Sequence, residues 1–116
     1  MTPGAPEGRG TDPPFIAWLN GRVSRAPADL RTRMNAAVRD AIVTGGPASA
    51  LLLEAAARCI ARAVALGRDR RAALDLLAAD GLLTVACDAA VEEGDAGGFA
   101  RRASARLATL LPAGEA

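Results

Sequence analysis

Between Leu51 and Leu66 the chain carries only three charged residues, Glu54, Arg58 and Arg62, each four positions from the next. That spacing stacks them as one narrow stripe along an α-helix and leaves the rest of its circumference apolar, with Leu52, Leu53, Ala56, Cys59, Ile60, Ala63, Val64 and Leu66. A helix apolar over most of its surface has to be enclosed, by lipid or by other helices. A spanning helix needs about 20 mostly apolar residues, and three charges interrupt Pro47–Leu66, so lipid is excluded. The segment is predicted as the centre of a helical bundle, opened by Pro47 and stopped by Gly67.

Four other segments supply the enclosure. Asp12-Pro13 reads as an N-cap followed by proline at the first helical position, beginning a short helix with Phe15, Trp18 and Leu19 on one side and a stop near Asn20-Gly21. Isolated helices below about 12 residues are marginal, so those side chains must dock on something. A second helix starts at Pro27, with Leu30, Met34, Ala37, Val38, Ala41 and Ile42 on one face, and ends at Thr44-Gly45-Gly46. After Asp69 a long helix runs to Glu93, with Leu74, Leu77, Leu82, Val85 and Val91 as core candidates and Gly81 inside it. That glycine costs about 1 kcal/mol relative to alanine and marks a kink or a close helix crossing. The last helix runs from Asp95 to Pro112, with Phe99, Ala103, Leu107 and Leu110 as its inner face.

These elements predict an all-α fold: one small bundle of four main helices plus a short N-terminal helix, in up-down antiparallel packing. Residues 1–12, with three glycines and two prolines, are expected to be a disordered tail, 13–112 the bundle, and 113–116 a short C-terminal tail. The chain is 51% hydrophobic but only 3% aromatic, so the core must be aliphatic and alanine-rich. All fourteen basic residues are arginine, which a GC-rich genome explains. A formal net charge of +1 provides no global field towards nucleic acid or an anionic membrane. The N-terminus lacks the basic start and apolar run of a signal peptide, and a cytoplasmic location is the expectation.

Familiar chemistries are hard to build from these residues. The chain has no histidine, and its two cysteines, Cys59 and Cys87, are 28 positions apart, so no zinc pattern is available. A hairpin about Gly67 offsets the two thiols by roughly 15 Å along the helices. A disulfide needs Cα atoms about 4.4–6.8 Å apart, so both are expected as buried structural thiols. Ser24, Ser49 and Ser104 have no histidine base, and no G-x-S-x-G, Walker or dinucleotide pattern occurs. Asp75, Asp80 and Asp88 read as a solvated acidic face. Glu54–Arg58 reads as a surface pair worth roughly 0.2–0.5 kcal/mol. No catalytic residue, cofactor or metal is expected.

Two local features remain. From Ala72 to Asp95 there are six acidic residues and no basic one, and Glu92 and Glu93 fall where the helix dipole disfavours negative charge. Arg101, Arg102 and Arg106 of the last helix are the expected compensation, and the alternative is that the acidic end of the helix meets a basic partner. The turn Gly67-Arg68-Asp69-Arg70-Arg71 loosely follows a helix-turn-helix spacing, but Arg62 and Arg68 stand where that motif wants apolar residues. The expectation is a non-catalytic helical module that acts on a protein partner or by self-association as a homodimer, with Phe15, Trp18 and Leu19 as the candidate partner surface, although a lone tryptophan in an aromatic-poor chain reads first as a core anchor. The alternative is a small nucleic-acid-binding regulator contacting its target through Arg68, Arg70 and Arg71.

Overall fold

The computed structural model describes residues 13–111, and the expected tails at 1–12 and 113–116 lie outside them, as does the Asp12 N-cap. Five α-helices follow in order: α1 (Pro13–Arg22), α2 (Ala28–Ala41), α3 (Ala48–Leu66), α4 (Arg70–Glu92) and α5 (Ala96–Ala108), with a 3-10 turn at Ile42–Thr44. No strand occurs among the described residues. Helices α2 to α5 pack against one another as a bundle, and α1 is the short N-terminal addition.

The α3–α4 hairpin is the spine. Gly67 takes the left-handed conformation (φ 60°) after α3, and Asp69 caps α4 by accepting from the Arg71 backbone N–H at 2.9 Å. The two helices then run antiparallel: Ser49 at the start of α3 meets Glu93 just past the end of α4, and Arg62 near the end of α3 meets Asp75 near the start of α4. Small side chains make this close packing possible. The inner arc of α4 is largely alanine, with Ala78, Ala79, Ala86, Ala89 and Ala90 all buried beside Leu82 and Val85. Leu51, Leu52 and Cys59 of α3 face them in the same core.

Gly81 marks a close crossing, and α4 runs through it without a break. A Cβ there would stand 2.9 Å from Met34 Cε of α2. At its far end α4 stops on Gly94 (φ 76°), with Gly94 N–H bonded to Val91 C=O and Asp95 N–H to Ala90 C=O, the paired bonds of a Schellman stop.

Several boundaries differ from the sequence reading. Helix α1 passes through Gly21 to Arg22 because Arg22 reaches α4, at 2.9 Å from Glu92 and 3.6 Å from Asp88. Helix α5 ends at Ala108 rather than at Pro112. Thr109 and Leu110 turn back onto Arg106 and Leu107 carbonyls, and Pro112 disfavours helical geometry in the residue before it.

The acid-rich end of α4 also has a structural account. Proline at the N-cap position of α3 offers no side-chain cap, and Glu93 supplies one from another helix. It accepts from the Ser49 backbone N–H at 3.1 Å and from the Ser49 hydroxyl at 2.6 Å. A carboxylate unfavourable for the α4 dipole is thus favourable for the α3 dipole. Compensation is internal, as expected, but Arg22 and Ser49 provide most of it. Of the α5 arginines, Arg102 pairs with Asp95 and Arg106 goes to α3. Glu93→Ala is expected to cost about 1–2 kcal/mol in denaturant unfolding, the magnitude of a lost helix cap.

Candidate interaction surface

Helix α4 shows two unlike faces. Every third or fourth residue from Ala72 through Asp75, Ala78, Ala79, Leu82, Ala86 and Ala89 is buried. The opposite arc carries Leu76, Leu77 and Val91, which are 52%, 57% and 65% exposed. Ala73, Asp80, Thr84, Cys87 and Asp88 share that arc and are also exposed. Large apolar side chains thus stand outside a helix whose inner face is mostly methyl groups. Leu77 and Val91 are corrections to the expected core. Helix register puts Leu77 about 140° and Val91 about 180° round the axis from Leu82, so apolar character alone does not bury them.

Charge on this arc is negative. Asp88 stands 3.6 Å from Arg22, whereas Asp80 has no ion pair among the described residues. The Thr84 hydroxyl donates to the Asp80 carbonyl at 2.9 Å, a bond within the helix that leaves the carboxylate free. Cys87 is exposed towards the Val91 end of the arc, contrary to its expected burial, while Cys59 is fully buried. Burial pushes the Cys59 thiol up from its ordinary range, and the nearby Asp75 adds to the rise against the opposing pull of Arg62 and Arg33. The two thiols remain free. Alkylation of the folded chain should therefore modify Cys87 more than about tenfold faster than Cys59, with both reacting equally in denaturant. Peptide mapping of the adducts checks this.

The second polar constellation lies beneath the surface. Asp75 is wholly buried, not part of a solvated acidic face with Asp80 and Asp88. Its Oδ1 accepts from Arg33 Nη1 of α2 at 2.9 Å and lies 3.5 Å from Arg62 Nη1 of α3, so one carboxylate joins three helices. Its other oxygen, Oδ2, is buried without a hydrogen-bond partner among the described residues, and so is Arg33 Nε. Above the two arginines runs an open groove of about 520 Å³, lined also by Asp29, Thr32, Ala36 and Leu74. Asp29 offsets part of the groove's positive charge, and the cluster reads best as a clamp that fixes helix register.

A further carboxylate is placed differently from the sequence reading. Glu54 pairs with Arg106 of α5 through two bonds of 3.0 Å each, not with Arg58 of its own helix. A bidentate guanidinium offers better geometry than a single helical neighbour. The Arg106 bonds hold the Glu54 carboxyl below its ordinary range, outweighing the opposing effect of burial, with Arg106 and Arg58 charges adding to the fall. Asp69 is lowered to about 2 by the Arg71 side chain first and the Arg71 N–H second. Both groups stabilise the fold when ionised, so their contribution is present above the ordinary carboxylate range and is lost as pH falls through the lowered values. Stability should decline from about pH 4.5 downwards, and a carbon-detected titration should place Asp69 near 2.

The residues singled out from sequence separate into two places. Phe15 and Leu19 are buried in the core, and Trp18 is partly buried against it, its ring stacked on Phe15 at 6.1 Å with the Arg22 guanidinium 5.3 Å from the ring centroid. Of this trio's helix, Ile16 is the large apolar residue that faces outward. Arg68, Arg70 and Arg71 are exposed around the α3–α4 turn, with Arg71 bonded twice to Asp69, at 3.1 and 3.0 Å. That turn joins two long antiparallel helices. No group of three or more metal-binding side chains occurs among the described residues, and no helix there is long and apolar enough to cross a membrane. Neither a protein-family model, nor a curated protein, nor a solved structure matches this chain.

Proposed function

We propose that this chain is a non-catalytic helical module that works by contact with another protein chain, and that the outer arc of α4 is its contact surface. The observation that carries the reading is the inversion of side-chain size on α4: Leu76, Leu77 and Val91 stand outside while alanines fill the inside. Fully burying a leucine or valine stabilises by about 1.5–3 kcal/mol, so three such residues left exposed represent a substantial unused driving force for association. Leu76 and Leu77 adjoin each other and share one helix face with Val91, and apolar side chains gathered on one face of a small folded chain mark interaction surfaces. The setting is taken to be the cytoplasm.

Phe15, Trp18 and Leu19 give this surface less support than α4 does, because their apolar area is engaged with the core. Contact with nucleic acid through Arg68, Arg70 and Arg71 is the weaker alternative. Asp69 occupies the Arg71 guanidinium, and no basic residue follows Arg71 on α4.

The test compares the wild type with a Leu76→Asp/Leu77→Asp variant in sedimentation velocity and in capture from an extract of source cells. Both positions are exposed, so the variant should keep its helical circular dichroism and its stability to within about 0.5 kcal/mol. An assembly formed by the wild type and lost from the folded variant supports the reading. The same assembly from both chains, or no assembly from either, overturns it.

A further inference from the structure

We infer that the occupant of the α4 outer arc is a cationic amphipathic helix of a different chain, an inference that rests on the reading of α4 as a contact surface. The apolar residues of the arc come in two groups, Leu76 with Leu77 at one end and Cys87 with Val91 at the other, and Asp80 lies between them. From Leu76 to Val91 the arc spans about 22 Å, the length of a docked helix of roughly 15 residues. A docked amphipathic helix anchors through apolar residues three or four positions apart on its own face, and Cys87 and Val91 show the same spacing.

Charge selects the partner. Asp80 is exposed without an ion pair among the described residues, and no basic residue follows Arg71 on α4. A lysine or arginine at the level of Asp80, flanked by apolar side chains a turn away on either side, would complete the arc. Complementary charge of this kind sets partner choice and orientation more than raw affinity. A second copy presenting the same arc meets it with the same sign. In an isologous contact the acidic α4 faces its own image, and the cation beside the arc, Arg22, is already shared by Asp88 and Glu92.

Cys87 makes the proposal measurable without a label. It lies within the arc, and the other thiol is buried, so iodoacetamide reads the cover over this surface alone. The probes are two synthetic 18-residue amphipathic helices of identical leucine pattern, one with lysine and one with glutamate on the polar face. The lysine peptide should slow Cys87 alkylation about tenfold at saturation. A nearby cation favours the reactive thiolate, so a slower reaction can arise only from cover. Calorimetry should show the lysine peptide bound at least about tenfold more weakly by folded Asp80→Arg than by the wild type, and the glutamate peptide should not protect.

Equal protection by both peptides, or Asp80→Arg binding as well as the wild type, overturns the charge rule while leaving α4 as a contact surface. Protection of Cys87 by dimerisation of the chain alone, abolished by Leu77→Arg, overturns the inference in favour of a second copy. A monomer whose Cys87 reacts at one rate with either peptide overturns this inference, and the reading beneath it falls only if the extract also yields no assembly.

Discussion

Replacing Asp75 by alanine is expected to lower the unfolding free energy by about 3 kcal/mol. The carboxylate is completely buried and bonded to Arg33, whose side chain is 25% exposed, with Arg62 also in range at 41% exposed. Breaking a buried ion pair by deleting one partner costs about 3–5 kcal/mol, because the surviving charge is left without compensation in a poorly solvated place. The lower end applies because both guanidiniums keep some access to water. Exposed pairs such as Asp95–Arg102 contribute at most about 1 kcal/mol, so Asp95→Ala serves as the contrasting substitution. The clamp itself is incompletely satisfied, since Asp75 Oδ2 and Arg33 Nε are both buried without partners among the described residues. Removing both charges together, as Arg33→Met with Asp75→Leu, should therefore recover most of what Asp75→Ala loses. Urea unfolding of the single and double variants separates these outcomes. A loss below about 1 kcal/mol for Asp75→Ala would mean that the carboxylate contributes no more than a surface group.

The same residue shows where the sequence was and was not readable. Helix boundaries announced themselves through local chemistry: Gly67 as the stop of α3, Pro47 at its mouth, and Asp69 ahead of α4. All depend on neighbours along the chain, so no three-dimensional information was needed. Burial on α4 was different. Asp75 lies three to seven positions before Ala78, Ala79 and Leu82, in register with the inner arc, and Asp80 is about 140° further round. The helical period alone separated them, but grouping the acidic residues by chemistry put them on one face. In an alanine-rich helix the residue type gives little warning, since alanine sits equally well on either arc and leucine attracts the eye wherever it occurs. Glu93 and Glu54 were unreadable for another reason. Their partners, Ser49 and Arg106, are 44 and 52 positions away, and only the hairpin and the docking of α5 bring them together.

Register therefore predicts opposite outcomes for two leucines five positions apart. Leu82→Ala is expected to cost about 4 kcal/mol, in the upper half of the range of about 2–5 kcal/mol for deleting a buried leucine. That range reflects how far the surroundings can collapse into the space vacated. Here nearly half of the buried cluster is alanine of α2, α3 and α4, which has no side-chain rotamers with which to fill a void. Relaxation would require moving whole helices, and α4 is held by the Asp75 clamp, the Glu93 cap and the close passage of Met34 over Gly81. Leu77→Ala should change stability by no more than about 0.5 kcal/mol, because its side chain is more than half exposed and leaves no cavity. Paired denaturation curves measure both. Equal losses at the two positions would mean that the outer arc is packed in the isolated chain, and would take away the exposed apolar surface on which the contact with another chain depends. A small loss at Leu82 would mean instead that the alanine core yields, leaving the bundle looser than its close helix packing requires.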